Sequence, residues 1–407
     1  APATQLAGQG SFCVSTDMQS KARTLYRWPL NSNPFTFIDR LKLALFTMDG
    51  ENGWTCGAAV ARYERAIADY CEVKHAIYTS SGSTANTLLA MHRRDMGNRR
   101  RRIVVLPAVT WQTSASPWIR EGFEPVFLDV SLMDLSMSVL ALEGFLRERH
   151  LDVACVFVTS LLGLVPDVER LQELGLRFNV PVMLDNCEAS LSRYNSRHIC
   201  SYFTSTISTY FGHHIQSIEG GFVLTDDDRL ADYCRMGRNH GLTRSLEHTA
   251  LYRNPDVDAR FDFAILGNNF RNTDFNATAG LLDFTRAAGY ITRRRQVCQW
   301  FDESIDKTRY WTVEERRGCF DVPFALPLIR RNEAGERRQA MVDICDGLNI
   351  ETRPILSGNL LRQTPYRRWR QPHCVAEFLH QGIYVGLGCG SITQDHVLAL
   401  TQKLNAL

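Results

Sequence analysis

Residues 206–221 read Thr-Ile-Ser-Thr-Tyr-Phe-Gly-His-His-Ile-Gln-Ser-Ile-Glu-Gly-Gly, and this stretch holds the chain's densest set of reactive side chains. The β-branched residues of segment 204–210 predict a buried strand, and segment 222–225 predicts a second, shorter one. Glycines between the two strands are typical of turns. His213 and His214 are therefore expected on a loop. A histidine pair on a loop is often a surface feature, so a catalytic role needs support from the rest of the chain.

Length and composition point to a large globular protein. The 407 residues carry a net charge of +2 and are 44 % hydrophobic, which allows a large core and two lobes. The near-neutral charge gives no argument for nucleic-acid binding. The dense basic run at 99–102 is expected on a solvated loop, or as a rim that attracts an anionic sugar nucleotide. With no apolar run of membrane-spanning length and no secretory pattern at the N-terminus, we expect no membrane association.

The cysteines argue against a disulfide framework and against a metal site. All twelve are scattered, without a Cys-x-Cys or Cys-x-x-Cys pair. Several, such as Cys155 and Cys187, lie in or just after apolar strand-like runs, as buried reduced thiols do. We therefore expect a cytoplasmic enzyme that binds no metal.

Residues 57–185 alternate between strand-like and helix-like patterns, which predicts a mostly parallel sheet with functional residues at the carboxyl ends of its strands. The predicted strands are 75–79, 103–106, 125–129, 153–158 and 182–185, and the predicted helices are 57–70, 87–92, 113–120, 139–148 and 168–178. Residues 1–45 lack periodicity and are expected to form an arm on the body or on a partner subunit. Residues 46–290 would form a large domain, and a long helix over about 277–307 would lead into a small domain, residues 291–407.

Three places in this pattern could bind a ligand. Residues 80–86, Ser-Ser-Gly-Ser-Thr-Ala-Asn, follow a predicted strand and precede a helix, so backbone N–H groups and the helix dipole could hold an anion beside Gly82. An N-capping cluster without a ligand is the simpler interpretation of that signal alone. Asp185 ends a buried strand, where a carboxylate needs a cationic partner. Trp111 follows another strand, although a core tryptophan is the ordinary alternative.

Together these segments resemble the sugar aminotransferase (DegT/DnrJ/StrS) family, whose members bind pyridoxal phosphate (PLP). In that family a serine lies five residues before the lysine that binds PLP covalently, and Glu-Gly-Gly begins six residues after it. Ser208 and Glu219 keep these spacings, so the lysine position is His213. Histidine at that position, in a Phe-x-His-His pattern, resembles a branch of the family, the PLP-dependent sugar 3-dehydratases. No lysine occurs between Lys74 and Lys307 to take over the covalent link.

The resemblance implies a PLP-dependent transferase fold of type I, an α/β fold with a mostly parallel sheet and a smaller α+β C-terminal domain. It also implies a homodimer with shared active sites, because the family's asparagine in the segment matched by Asn269 reaches the neighbouring subunit's cofactor. Glu188 occupies a position that family members fill with Asp, Gln or His. The implied cofactor-binding residues are Gly82, Ser83, Trp111, Asp185, Glu188, Ser208 and Asn269, and the implied substrate residues are His240, Arg353 and His214.

The chemistry expected of this branch is dehydration. An amino donor such as glutamate would convert PLP to pyridoxamine phosphate (PMP), and His213, with an ordinary pKa of about 6.5, would act as acid and base while the C3 hydroxyl of a 4-keto sugar is eliminated. The sugar's carrier, a nucleotide or a nucleoside, stays open. Cys187 matches one cysteine of the iron–sulfur dehydratases, but the segment after Glu-Gly-Gly lacks the other three, so we expect no cluster. An aminotransferase-like enzyme and a non-catalytic PLP-binding protein are the alternatives.

Overall fold

The computed structural model describes residues 26–244, 246, 252–331, 336–388 and 390–407. The helices are α1 Phe37–Met48, α2 Ala58–Cys71, α3 Gly82–Met96, α4 Gln112–Arg120, α5 Val139–Arg149, α6 Val168–Phe178, α7 Asp228–Gly237, α8 Asp274–Phe284, α9 Ala287–Ser304, α10 Glu336–Gly347, α11 Cys374–Leu379 and α12 Gln394–Ala406. The strands are β1 His75–Thr79, β2 Ile103–Pro107, β3 Glu124–Leu128, β4 Val153–Thr159, β5 Val182–Asp185, β6 Arg193–Tyr194, β7 Arg197–His198, β8 Thr204–Ser208, β9 Gly221–Thr225, β10 Cys319–Phe320, β11 Ala325–Leu328, β12 Thr352–Pro354 and β13 Ile383–Gly386.

A seven-stranded sheet in the order β1-β9-β8-β5-β4-β2-β3 organises the large lobe. The strands from β8 to β3 run parallel to one another, and β9 runs antiparallel to both of its neighbours. Parallel neighbours are joined by a crossover connection, usually a helix. The connection between β8 and β9, residues 209–220, contains no helix, and we call it the His213 loop. The mostly parallel sheet predicted from the sequence is therefore confirmed, with β9 as its exception.

Three predicted elements differ from the structure at their ends. The predicted strand over 204–210 ends at Ser208, since the chain turns there toward the His213 loop. Helix α3 begins at Gly82 instead of residue 87, because Ser81 and Thr84 form a capping box. The helix expected over 277–307 is two helices, α8 and α9. The break lies at Thr285, whose hydroxyl donates to the carbonyl of Leu282, and at Arg286, which pairs with the buried Asp39.

A second lobe, which we call the small lobe, contains the antiparallel sheet β11-β13-β12, and the C-terminal helices pack on this sheet. Its core joins Phe301 of α9 and Leu400 of α12 to the sheet residue Val385. Trp28, from the segment expected to be an arm, is buried in the same core and donates from Nε1 to the carbonyl of Gly386 at 2.7 Å. Residues 1–25 of that expected arm lie outside the described part.

None of the helices in the described ranges combines the length and the apolar composition that crossing a bilayer requires.

Candidate active site

A cleft of about 620 Å³ lies between the carboxyl edge of the large sheet and the small lobe. Thr159, Asp185 and Ser208 reach it from the last positions of β4, β5 and β8, which are parallel neighbours and so end at the same edge. We call it the main cleft. Eight of the residues singled out in the sequence line it: Gly82, Ser83, Trp111, Asp185, Glu188, Ser208, His213 and Arg353.

The amino end of α3 forms a tightly packed anion cradle. A Cβ atom at Gly82 would lie 2.9 Å from Cys187 Sγ and 3.0 Å from Ser208 Cβ, so only glycine lets this turn lie against the end of β8. A Cβ at Gly221 would lie 2.3 Å from the backbone nitrogen of Gly82. Gly82 and Ser83 line the main cleft, and the first N–H groups of a helix have no partner within it, as in other phosphate-binding turns.

Asp185 is a buried acidic side chain that accepts hydrogen bonds from three donors. Only 3 % of the residue is exposed. Its Oδ2 accepts from Ser114 Oγ at 2.6 Å and from Asn86 Nδ2 at 2.9 Å, and its Oδ1 accepts from the N–H of Cys187 at 3.2 Å. No cation from the described part of the chain lies within ion-pair distance of it. A buried charge of this kind needs a partner of opposite sign, which a ligand can provide.

His213 presents one free ring nitrogen to the main cleft. Its Nδ1 lies 2.7 Å from the carbonyl oxygen of Cys187. A carbonyl only accepts, so Nδ1 carries the proton and Nε2 is the free base. Burial lowers the pKa of His213, and this keeps the ring neutral at neutral pH. The rings of Tyr210 and Phe324 lie beside it, at 6.2 Å and 5.2 Å between centroids.

Glu188 is a second buried carboxyl group in the main cleft. Its Oε2 accepts from the N–H of Leu162 at 2.9 Å, and burial raises the pKa of Glu188 to about 8. The carboxyl group is therefore protonated at neutral pH. The two buried carboxyl groups of the cleft differ in their hydrogen bonds, because Asp185 has three donors and Glu188 has one.

Two of the predicted residues lie at the mouth of the main cleft. Trp111 precedes α4 and is 54 % exposed, so its side chain is accessible to a ligand in the cleft. Arg353 is exposed on β12 and donates to Glu351 Oε1 at 3.1 Å. Tyr384, on the neighbouring strand β13, is the register partner of Arg353 and also lines the cleft.

Three predicted residues lie away from the main cleft. His214 turns to the other side of the loop, where its Nε2 donates to the carbonyl of Val322 at 2.9 Å. His240 is exposed, with a φ of +62°, and its backbone nitrogen donates to the carbonyl of Asn268 at 2.7 Å. Asn269 is exposed beside it. The single subunit does not bring these three to His213.

Asn86 and Ser114 are site residues that sequence reasoning missed. Asn86 also accepts from the hydroxyl of Thr206 at 2.6 Å, so it connects α3, β5 and β8. Its place at the end of the Ser-Gly-Ser-x-Ala-Asn turn was a usable signal. Ser114 gave none, because its bond to Asp185 joins residues that are distant in sequence.

No lysine is among the residues that line the main cleft, and the lysines Lys74 and Lys307 pair with acids on the surface. Three side chains of the kinds that bind metal ions, Cys71, His198 and Cys200, lie close together and are buried. However, His198 accepts from the N–H of Cys200 at Nδ1, and its Nε2 lies 3.0 Å from the carbonyl of Ser190, so both ring nitrogens are already used.

Residues 39–382 match the model of the DegT/DnrJ/EryC1/StrS aminotransferase family. The chain belongs to this family. A relative from Yersinia pseudotuberculosis, GDP-4-keto-6-deoxy-D-mannose 3-dehydratase, is 27 % identical over 84 % of this chain and 87 % of its own. GDP-perosamine synthase from Caulobacter vibrioides is 27 % identical over 74 % of this chain and 76 % of its own.

Solved structures agree on the fold. The Escherichia coli GDP-4-keto-6-deoxy-D-mannose 3-dehydratase with bound hydrated PLP superposes with a TM-score of 0.84, at 24 % identity, over 93 % of this chain and 99 % of that one. The sugar aminotransferase CalS13 from Micromonospora echinospora reaches 0.80 at 18 % identity, over 93 % and 99 %. The type I transferase fold predicted from the sequence is thus confirmed.

The main cleft fits the cofactor of this aminotransferase family. The N-terminus of α3, which tolerates no side chain at Gly82, suits a phosphate group. The buried Asp185, without a protein cation, suits a protonated pyridine nitrogen. The exposed face of Trp111 suits stacking on the ring. These three features lie in one cavity, so the residues present agree with PLP or PMP.

Proposed function

We propose that this chain is a PLP/PMP-dependent dehydratase that removes the C3 hydroxyl of a 4-keto sugar linked to a nucleotide or nucleoside. The observation that carries the proposal is His213, an imidazole with a free Nε2 at the position where family members carry their lysine. Such a site cannot bind the cofactor covalently through this residue. It can still move protons, which is what an elimination requires.

The cradle and the cleft walls hold and orient the cofactor. Gly82, Ser83 and Ser208 would hold the phosphate, Trp111 would stack on the ring, and Asp185 would face the ring nitrogen. The cofactor in its amine form would supply an amino group for the sugar ketone and a ring that accepts electrons. Neutral Glu188 adds no second negative charge beside Asp185.

His213 carries the proton in the elimination. Its Nε2 would act as the base that takes up the proton lost in the elimination and as the acid that delivers it to the departing C3 hydroxyl. Hydroxide is a poor leaving group, whereas a protonated hydroxyl departs as water, so this proton delivery is the step that the imidazole would accelerate. The hydrogen bond from Nδ1 to the carbonyl of Cys187 keeps the ring oriented during both transfers.

The substrate class is supported by the relatives' names. One is a GDP-4-keto-6-deoxy-D-mannose 3-dehydratase and another is the dTDP-4-dehydro-2,6-dideoxy-D-glucose 3-dehydratase of Saccharopolyspora spinosa, so the carrier differs within the family. Arg353 at the cleft mouth is the group that would bind the carrier's phosphates or a donor carboxylate. A neighbouring structure holds a trapped PLP–glutamate geminal diamine, which supports glutamate as the amino donor. Free thiols at ten described cysteines support a reducing, cytoplasmic location.

A homodimer with shared sites is part of this proposal. Asn269 and His240 are exposed and adjacent, outside their own subunit's cleft, so they would complete the cleft of a second copy. Helix α1 supports this arrangement, because it exposes a row of apolar side chains that the described part of the subunit does not cover. They are Phe37, Ile38, Leu41, Leu45 and Met48.

Similarity to GDP-perosamine synthase favours one alternative, amination of the keto sugar. The test is incubation of the purified protein with PLP, L-glutamate and a panel of nucleotide-linked 4-keto sugars, scored by mass and by ammonia release. Loss of water from the sugar together with free ammonia is the expected result. An amino sugar formed in stoichiometric yield would favour the aminotransferase instead. Bound PLP with no change in any sugar would favour a non-catalytic protein.

A further inference from the structure

A second cavity, of about 320 Å³, lies on the opposite side of the His213 loop from the main cleft. We call it the rear cavity. Residues of the loop, of α9 and of the small lobe line it, among them His214, Gln216, Arg293, Arg294 and Gly388. His213 borders both cavities. The proposed dehydration uses none of the other residues named here.

Two buried polar side chains of the rear cavity have an atom without a hydrogen-bond partner. His214 is 2 % exposed and Gln216 is 3 % exposed. His214 Nδ1 and Gln216 Nε2 are both buried and unpartnered. Because Nε2 of His214 donates to the carbonyl of Val322, Nδ1 is an acceptor when the ring is neutral. Burial and the charge of Arg294 lower the pKa of His214 well below its ordinary value, which keeps the ring neutral.

The same cavity contains a buried cation without a matching acid. Arg294 is 4 % exposed, and its Nη1 donates to the carbonyls of Pro323 and Phe324 at 3.1 Å and 2.6 Å. No carboxylate in the described ranges lies within ion-pair distance of it. Burial lowers the pKa of Arg294 to about 10, so the guanidinium is still charged at neutral pH.

The remaining charges of the rear cavity do not neutralise Arg294. Arg286 pairs with Asp39 and lies 3.6 Å from Asp283. Asp283 is already bonded to the N–H of Gln216 and to the hydroxyl of Tyr290. Arg293 donates to a backbone carbonyl, that of Ile392. Three guanidinium groups around two carboxylates leave an excess of positive charge.

We propose that the rear cavity is a second ligand site, which binds a small carboxylic acid that has a hydrogen-bond donor next to its carboxylate, such as a hydroxy acid or an amino acid. The carboxylate lies on Arg294 and accepts from Gln216 Nε2, and the neighbouring hydroxyl or ammonium group donates to His214 Nδ1. A simple anion would satisfy Arg294 but would leave the His214 acceptor unpaired, at a cost comparable to that of a lost hydrogen bond.

The site does not depend on the proposed dehydration. Apart from His213, none of its residues has a role in the proposed dehydration, and they are present whether the main cleft dehydrates, aminates or only binds cofactor. The ligand would reach one face of the loop whose other face holds the free Nε2 of His213, so occupancy would also restrain that loop.

The test is calorimetric titration of the full chain, saturated with PLP so that the phosphate cradle is filled, with L-malate and with succinate. L-Malate carries the required hydroxyl next to a carboxylate and has no amino group to react with PLP. We expect L-malate to bind, and succinate, which lacks the hydroxyl, to bind about 5- to 10-fold more weakly. Equal binding of both acids would overturn the role of His214, and no binding of L-malate would overturn the site.

Two variants locate the binding. Arg294→Gln should weaken L-malate binding by about 10-fold or more, as loss of a charged hydrogen bond does. Gly388→Leu should abolish L-malate binding without removing any polar group. A Cβ at residue 388 would have no atom closer than 3.5 Å and would lie 3.6 Å from the guanidinium of Arg294, so a leucine side chain would occupy the space beside that guanidinium. This second variant keeps the test valid if Arg294→Gln does not fold.

Two further variants serve as controls. Arg295→Gln changes the adjacent arginine, which donates to the carbonyl of Asp321 and lies over Phe320 outside the cavity, so L-malate binding should be unchanged. Arg353→Gln changes the arginine of the main cleft and should also leave it unchanged. Binding that survives Gly388→Leu but is lost in Arg353→Gln would assign L-malate to the main cleft and would overturn the proposal.

Discussion

The main cleft and the rear cavity lie on opposite sides of one loop, and each contains one isolated buried charge. In the main cleft it is the carboxylate of Asp185, which has three hydrogen-bond donors but no cation in the described part of the protein. In the rear cavity it is the guanidinium of Arg294, which has backbone acceptors but no carboxylate there. Because burying an unpaired charge is costly, both point to a ligand of opposite charge.

The two adjacent histidines show the same division. His213 uses Nδ1 to bond a carbonyl and keeps Nε2 free, whereas His214 uses Nε2 and keeps Nδ1 free. His214 lines the rear cavity alone, whereas His213 borders both cavities. The difference shows that a His-His pair in a sequence is not one functional unit, and the following variants test each side separately.

The largest effect is expected from His213→Lys. A primary amine at this position can bind PLP covalently but is no longer a base with a pKa near neutrality, so dehydration should fall by about 10²- to 10⁴-fold. Release of water from a 4-keto sugar, measured by mass, checks this. His213→Asn is the matched control, which should lose the same activity without gaining a covalent link. Dehydration retained in either variant would contradict the role of His213.

Asp185→Asn should have the next largest effect. It preserves the shape of the side chain and removes the charge proposed to hold the pyridine nitrogen, so turnover should fall by about 10²- to 10³-fold. Ser114→Ala removes only one donor to that carboxylate and should cost about 10-fold. Steady-state kinetics of the two variants check the order. A larger loss in Ser114→Ala would show that the charge of Asp185 is not what matters.

A pair of glycine variants compares the packing of the two cavities. Gly221→Ala would put a Cβ 2.3 Å from the nitrogen of Gly82, and overpacking of this kind should lower the free energy of unfolding by about 1–3 kcal/mol. Gly388→Ala meets no atom closer than 3.5 Å and should change it by less than about 0.5 kcal/mol. Urea unfolding of the cofactor-free proteins measures both. Equal destabilisation would contradict the tightly packed cradle.

Glu188→Gln tests the pH dependence of stability that the second buried carboxyl group causes. Burial raises the folded-state pKa of Glu188 from 4.5 to about 8, so the folded protein binds more protons than the unfolded chain between these values. Stability therefore decreases as pH rises through this window. The variant cannot ionise and should lose less stability between pH 4.5 and 8, as urea unfolding at several pH values would show. Parallel curves for variant and wild type would contradict the raised pKa.

Eight of the residues named from the sequence line one cleft, and the signals that named them are local. The strand that ends at Asp185, the turn at Gly82 and the spacing from Ser208 to His213 each lie within a few residues. The type I fold and the family assignment are confirmed. The roles of individual residues remain predictions, which the variants above test.

The rear cavity could not be predicted from the sequence. Arg293, Arg294 and Arg295 are consecutive, and the sequence does not distinguish them. Packing places Arg293 and Arg294 at the rear cavity and directs Arg295 to the carbonyl of Asp321. The break between α8 and α9 was missed for a related reason. It depends on the pairing of Arg286 with Asp39, which is distant in sequence and contributes no signal near residue 286.

The central claim is that His213 leaves the cofactor without a covalent link to the protein. Its most direct test is borohydride treatment of the PLP-loaded wild-type protein, followed by denaturation and measurement of the intact mass. We predict that the chain keeps its unmodified mass and that the cofactor is released, whereas His213→Lys gains the mass of a reduced cofactor. A wild-type chain that gains this mass would contradict the account.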